Sequence, residues 1–429
     1  MGTEARVPGD ATRRALALFM LILVYTFNFI DRQIIGILAV PIKADLDLSD
    51  AQLGLMGGLA FALFYTGLGI PIAMLADRRD RSWIMAIALV IWSGMTAVCG
   101  TVQNFTQLFL ARLGVGIGEA GGVAPAYSLI SDMYPPQSRA RALGAYSFGI
   151  PIGSAAGIVF GGIIATWIDW RYAFFIVGLA GIAIAPLFKL TVKDPGRGAH
   201  DSNTQASVPP SLRQVLRHLA AKPSFWLICV AAACSSMMGY GLFFWLPSYL
   251  VRSFNLTLLD ASLHYGAILL FGGIAGIWLG GVLGDRLGAA KKSAYALVPA
   301  TAFVITIPFY MFGLLANDLL PALALLLIPT ALGLVWLGPI LSTIQHLVPP
   351  NMRATASAVF LFINNLIGIG LGTPAIGALS DLLTQHYGND ALRYSILAGT
   401  GFYVIAALLL FKASRTLAGD WHASDASHP

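Results

Sequence analysis

Apolar windows long enough to cross a bilayer recur twelve times along the chain. They fall near residues 15–41, 50–76, 83–102, 105–131, 139–167 and 171–188, then near 223–251, 259–284, 293–315, 319–347, 354–380 and 392–412. About 20 apolar residues span the hydrocarbon core as a helix, so the pattern predicts twelve transmembrane helices in two sets of six. Several windows are longer than that minimum, which predicts tilt or extension beyond the core. Between the sets lies 189–222, polar and rich in Ser, Pro and Arg. The expected division is a six-helix bundle over 1–188, a cytoplasmic linker over 189–222, a second six-helix bundle over 223–413 and a tail over 414–429.

Composition agrees with this pattern. The 429 residues are 57% hydrophobic and 11% charged, with a mean hydropathy of +0.76, an apolar load that marks an integral membrane protein. The net charge of +6 matters through its placement. Of the 26 Lys and Arg residues, twenty fall on the same side of the membrane as the N-terminus; Lys43, Arg171, Arg252 and Arg393 fall on the other, and Arg32 and Arg112 lie within spans. The positive-inside rule then places both termini in the cytoplasm. Basic charge sets topology, and no nucleic-acid partner is needed to explain it. Arg13-Arg14 precedes an apolar run too long for a signal peptide. The three cysteines have neither disulfide nor metal-ligand spacing. The sequons at Asn104 and Asn255 sit in short loops close to the membrane and read as chance matches.

The halves echo each other. Ala73-Met-Leu-Ala-Asp77-Arg78-Arg-Asp-Arg81 follows span two, and Gly281-Val-Leu-Gly-Asp285-Arg286-Leu-Gly288 follows span eight, an offset of 208. Pro135-Pro-Gln-Ser-Arg139-Ala-Arg141-Ala precedes span five, and Pro349-Pro-Asn-Met-Arg353-Ala-Thr-Ala precedes span eleven, an offset of 214. Two six-span repeats are the plan of a rocker-type secondary transporter.

These residues are similar to the major facilitator superfamily, over essentially the whole chain. The loop after span two resembles that family's Gly-x-Leu-Ala-Asp-Arg-x-Gly-Arg motif, with Ala73 and Asp80 in place of glycines. Phe29-Ile-Asp31-Arg32-Gln-Ile-Ile-Gly36 in span one, with Arg112-x3-Gly116-x-Gly118-Glu119-Ala120 in span four and Phe61-Ala-Leu-Phe64-Tyr65 in span two, resembles the Spinster subfamily, especially its bacterial members. That resemblance implies export of lysolipids or sphingoid phosphates, with proton coupling. It also implies that Asp31, Arg32 and Glu119 are the functional polar residues.

The residues themselves point the same way. Glu119 is one of two glutamates in the chain, the other being Glu4. Arg112 and Glu119 stand seven apart, two helical turns, on one face. A charge at membrane depth costs several kcal/mol unless it faces a partner or a wet cavity, so intramembrane charges mark ion or substrate paths by default. Asn28, Asp31 and Arg32 occupy i, i+3 and i+4 of span one. In one reading Arg32 holds an anionic headgroup while Asp31 pairs with Arg32 or Arg112, or titrates, and Glu119 carries the proton. In the other these residues form a permanent brace, either Arg112 with Glu119 or span one with span four. His264 and His346 sit at span ends and read as interfacial packing residues. Gly114, Gly118 and Gly122 predict close helix approach, and Gly149-Ile-Pro151-Ile-Gly153 predicts a bend in span five.

On the cytoplasmic side Asp77, Arg78 and Arg81 are expected near Asp132, Arg139 and Arg141, as charge pairs latching an outward-open state, mirrored by Asp285, Arg286 and Arg353. Spans seven to twelve carry charges only near their ends. Span seven offers Met237, Tyr240 and Phe244, and span eleven Asn364. Charges on one wall and aromatic and Met surface on the other suit an amphiphile, with Asn28, Arg32, Tyr65 and Arg112 toward its head. The expectation is an all-α major-facilitator-type exporter of lipid-like anions, proton-coupled through Glu119 with help from Asp31. It is expected to act as a monomer in the plasma (bacterial inner) membrane, without cofactor or metal and without enzymatic activity. An organic-anion or sugar-acid symporter, or a drug:proton antiporter, would use the same fold. A membrane-embedded lipid enzyme would need clustered His, Asp or Ser at one membrane face, which the sequence lacks.

Overall fold

In the computed structural model, residues 8–76, 78–196, 211–349 and 352–421 are described, and among them there are helices and no strand. Span one is α1 (Pro8–Leu46). Span two is split into α2 (Asp50–Gly57) and α3 (Leu59–Ala76), and span three is α4 (Arg81–Cys99). Span four is split into α5 (Phe105–Glu119) and α6 (Val123–Met133), span five into α7 (Pro136–Ser147) and α8 (Gly149–Trp167), and span six is α9 (Trp170–Thr191). A short α10 (Leu212–Ala220) precedes span seven, α11 (Pro223–Phe254). Spans eight and nine are α12 (Leu258–Ala290) and α13 (Ala294–Leu315). Span ten comprises α14 (Leu319–Leu332) and α15 (Leu337–His346), span eleven α16 (Arg353–Tyr387), and span twelve α17 (Ala391–Gly399) with α18 (Gly401–Asp420). The architecture is twelve-helix and all-α, as the hydropathy pattern predicts.

Ten continuous stretches among the described residues are long and apolar enough to cross a membrane. The difference from twelve has a local cause. Span four is interrupted at Ala120–Gly122, and the last stretch, Thr355–Asp420, runs through two spans. The interruption in span four is built from Gly118, Gly121 and Gly122 and from Pro125, which has no N–H to continue the ladder. Span ten breaks after Leu332, 213 residues beyond the break after Glu119, within the range of offsets of the loop motifs. The repeat therefore extends to where the helices are interrupted. Span five is divided at Phe148, just before Gly149-Ile-Pro151-Ile-Gly153.

Polar caps start the helices at the end opposite the Arg-rich loops. Asn104 accepts a hydrogen bond from the Gln107 N–H, Asp169 from the Arg171 N–H, and Thr257 from the Asp260 N–H. Asn255 ends α11 in the left-handed conformation, φ 51°. Both sequon asparagines thus have backbone roles.

The contacts group the described residues into two units. One draws on Met1–Ile34 and Leu63–Gln205, the other on Ile35–Ala62 and Ala206–Pro429. The grouping departs from chain order, because α2 and the end of α1 pack with the C-terminal spans. Within the first unit α5 lies against α4 so closely that a Cβ at Gly118 would stand 2.5 Å from the Trp92 backbone nitrogen. In the second, Asp420 near the end of α18 accepts hydrogen bonds from the Ser224 N–H (2.9 Å) and hydroxyl (2.6 Å), capping α11. The three cysteines carry no disulfide.

The α4–α5 contact makes a stability prediction. Gly118→Leu overpacks it and destabilises the protein by about 1–3 kcal/mol. Gly94→Ala, where no atom lies within 4 Å of an added Cβ, leaves stability unchanged or slightly raised. Thermal melting of the purified protein in detergent checks both.

Candidate functional site

The break in span four leaves Glu119 as the last residue of α5, fully buried. Its Oε2 accepts a hydrogen bond from Arg32 Nε of α1 at 2.7 Å, with the Arg32 side chain 10% exposed. The Arg32 guanidinium lies 4.6 Å from the ring centre of Tyr65 on α3 and 5.1 Å from that of Phe29. One carboxylate and two aromatic faces thus surround it. Asn28, one turn before Arg32 and 2% exposed, stands beside Glu119. Arg112, buried on α5, reaches toward Asp31 instead: its Nη1 makes a long 3.5 Å contact with the Asp31 carbonyl oxygen, and its charge lies beside the buried Asp31 carboxyl group.

The pairing is crossed between helices. Glu119 is bonded to Arg32 from α1, and the charge of Arg112, two turns earlier on α5, also acts on it. Asp31 and Arg32 stand about 100° apart around α1; Arg32 bonds the Glu119 carboxylate and Arg112 contacts the Asp31 backbone carbonyl. Two arginines and two acids then sum to zero in a buried cluster. Removing one member of a buried pair strands its partner, a cost of about 3–5 kcal/mol.

A second cluster sits by the loop after span two. Arg81 is fully buried, and all three guanidinium nitrogens are engaged. Nε and Nη2 donate to the Asp194 carboxylate (3.0 and 2.5 Å), Nη2 also to the Gly196 carbonyl (3.2 Å), and Nη1 to Ser128 (2.7 Å) and to Asp132. The Asp194 carboxylate also accepts the Arg81 N–H at 2.9 Å. Burial disfavours the charged form of Asp194, but these hydrogen bonds outweigh it and hold its carboxyl down at about 2. Asp80, where the motif has glycine, caps α4 by accepting the Trp83 N–H and pairs with Lys189 at 3.2 Å.

The expected pairing of Arg81 with Asp132 is formed, and Arg81 is buried there inside the first unit. Asp194 is its unforeseen partner. Arg78, Arg141 and Arg286 are exposed, Arg139 is half-buried, and Arg353 Nε donates to the Gln345 carbonyl at 3.1 Å. Asp77 and the Asp285 side chain lie outside the described residues.

In the second unit, Met237 and Tyr240 on α11 are half-buried, with Tyr240 edge-on to Phe243. Phe244 is 5% exposed, wedged where a Cβ on Gly57 would stand 2.3 Å from its ring, and edge-on to Trp245. Asn364 Oδ1 accepts the Ser236 hydroxyl at 2.8 Å. Packing within the unit thus occupies Phe244 and Asn364, two side chains expected to line the cargo. Sequence reasoning also passed over Asp50, buried and paired with Lys43 and Arg252. An acid beside a loop gave no signal there, because Arg252 is 202 residues away in sequence. Among the described residues no cluster of metal-binding side chains occurs.

Comparison with known proteins matches this arrangement to a family. The Major Facilitator Superfamily profile covers residues 21–373. An MFS-type efflux pump of Mycolicibacterium smegmatis is 34% identical over 405 residues, 94% of this chain and 93% of its own. Human protein spinster homolog 1 is 28% identical over 90% of this chain and 78% of its own. The crystal structure of a bacterial homolog to the human lysosomal transporter Spinster, inward-facing and unoccupied, superposes with a TM-score of 0.88 at 33% identity, covering 98% of this chain and all of that one. The chain belongs to the major facilitator superfamily of membrane transporters. Within it, the chain is Spinster-like.

Two predictions follow from the clusters. Arg32→Ala and Glu119→Ala each destabilise the protein, and the double variant costs less than the sum of the two, since neither charge is then stranded; a thermal-melting double-mutant cycle checks this. For Asp194 the folded pKa is depressed below the ordinary value near 3.9. Its stabilisation is therefore full above that value and lost as pH falls toward 2. The melting difference between wild type and Asp194→Asn stays constant from pH 7 to 5 and shrinks below about pH 4.

Proposed function

We propose that the protein exports lysophospholipids or sphingoid-type amphiphilic anions by alternating access, coupled to protons carried by Glu119 with help from Asp31. The observation that supports this most is the buried Arg32–Glu119 bond, set in a Spinster-like chain between the rings of Phe29 and Tyr65. A bound anionic headgroup and the Glu119 carboxylate compete for one guanidinium. When the headgroup takes Arg32, Glu119 loses its counter-charge and takes up a proton. When the headgroup leaves, Glu119 gives up that proton and recovers Arg32. The cluster is neutral in both states, so neither leaves an unpaired charge at membrane depth. Arg112 and Asp31 form the parallel pair that keeps the neighbouring charges balanced. Asn28 helps orient the headgroup, and Met237 and Tyr240 offer adaptable apolar surface to the chain of the cargo.

The protein works as a monomer in the plasma membrane of a bacterial cell, with both termini cytoplasmic, which the placement of the basic loops supports. Arg81 with Asp132 and Asp194 fixes the first unit's basic end during the cycle, with Arg78, Arg139, Arg141, Arg286 and Arg353 as flanking charges. A second reading, efflux of apolar drugs against protons, takes its support from the relative named an MFS-type efflux pump. It uses the same Glu119 but no headgroup contact at Arg32.

The test is lysolipid transport by purified protein in liposomes, with and without an imposed pH gradient. The gradient accelerates the wild type, and Glu119→Gln abolishes that dependence, lowering gradient-driven flux by at least ten-fold. Arg32→Gln abolishes lysolipid transport and spares efflux of a neutral dye only if the drug reading holds. Absence of lysolipid transport where a sugar acid moves refutes the cargo assignment.

A further inference from the structure

Asp50 is 1% exposed at the end of the helices opposite the basic loops, and four donors converge on its two oxygens. Oδ1 accepts Lys43 Nζ at 2.6 Å and Arg252 Nη2 at 2.7 Å; Oδ2 accepts Arg252 Nη1 at 2.6 Å and the Ser380 hydroxyl at 2.8 Å. The neighbouring Asp381 accepts the backbone N–H groups of Asp50 (3.0 Å) and Ala51 (2.7 Å), and Ser49 accepts that of Gln52 (3.1 Å). Three of the N–H groups that a helix start leaves open are thus satisfied, two of them by α16.

Below this clasp the seam is backbone on backbone. A Cβ at Gly54 would stand 2.7 Å from the Thr373 carbonyl oxygen, one at Gly58 2.6 Å from that of Ile369, and one at Gly377 2.3 Å from that of Asp50. Small residues let the α2 and α16 backbones meet directly, with the Phe244 ring of α11 against Gly57 beside the seam. Strength is concentrated in the charged clasp at its end. The helix is interrupted at Gly58, between α2 and α3, which marks where α2 can pivot. Lys43 and Asp50 belong to the same α1–α2 corner, whereas Arg252 and Ser380 belong to α11 and α16.

The geometry points to Asp50 as the clasp of a gate at this end of the transporter. With the clasp made, α2 is held on α16 and this end is shut. Opening requires Asp50 to release Arg252 and Ser380 while it keeps Lys43 as a resident counter-ion, so the departing corner carries no unpaired charge. The inference rests on the chain being an alternating-access transporter, and on neither the cargo nor the proton coupling proposed above.

Pulsed dipolar spectroscopy tests it in liposomes, with spin labels at the exposed positions Ala44 on α1 and Leu382 on α16 and with Cys99, Cys229 and Cys234 replaced by alanine. Asp50→Asn and Arg252→Gln each increase the long-distance population at least three-fold over the parent. The double variant opens no further than the larger single effect, because both changes release one bond. Distances unchanged in both single variants, or fully additive effects, overturn the clasp. If Asp50→Asn does not yield folded protein, Ser380→Ala removes one of the four hydrogen bonds and is read the same way: a shift to longer distance supports the clasp and no shift overturns it. The readout needs no substrate, so failure of lysolipid transport leaves it intact, and an unmoved distance leaves the transport assay intact.

Discussion

Ionised side chains inside a bilayer must be cancelled where they stand, because moving one into hydrocarbon costs several kcal/mol and no water is at hand to share the charge. Four such groups lie in the first unit, and their cancellation dictates how its helices meet. Arg32 and Asp31 leave α1 in different directions, and α5 supplies Glu119 to one and Arg112 to the other. Two links from α5 to adjacent residues of α1, one to a side chain and one to a backbone carbonyl, fix rotation as well as distance. The glycines of α5 make the arrangement possible by bringing its backbone against α4.

Helix interruptions are the second organising constraint. A break at membrane depth frees backbone groups that lipid cannot satisfy, so it is tolerated only inside protein or beside a cavity. The breaks after Glu119 and after Leu332 occupy equivalent places in the two repeats, yet one carries a carboxylate and the other a leucine. The first half has a carboxylate at an interruption where the second, Ala331-Leu-Gly-Leu-Val-Trp336, has no ionisable side chain. At the second break Gly333 lies against the Tyr403 hydroxyl, where a Cβ would stand 2.9 Å away.

Much of this was legible in the sequence. Twelve apolar windows give the fold because the bilayer enforces one length on every span, and the repeated loop motifs give the two halves. Arg32, Glu119, Asn28 and Tyr65 stood out because polar groups are conspicuous in apolar runs, and the structure brings these four together. What was not legible depends on partners far apart in the chain. Helical periodicity is local and points Glu119 to Arg112 on the same helix, while its 2.7 Å bond comes from Arg32 on α1, 87 residues away. Asp194 and Asp50 sit beside loops, where acids are ordinary, and only the approach of Arg81 and of Arg252 gives them meaning. Phe244 looked like a cargo contact because aromatic composition cannot distinguish a cavity wall from a wedge against Gly57.

The assignment of α2 to the second unit has a bearing on how the molecule is put together. Translation delivers the first six spans before α11 and α16 exist, so α2 spends that interval without the surface it finally covers. A chain cut in the linker would yield two fragments that are not self-sufficient: the later one would present Phe244, Thr373 and the Gly377 groove uncovered, and the earlier one would trail an unseated corner bearing Asp50. Such fragments should behave as complementing pieces of one object rather than as autonomous domains, with assembly finished only when the corner seats.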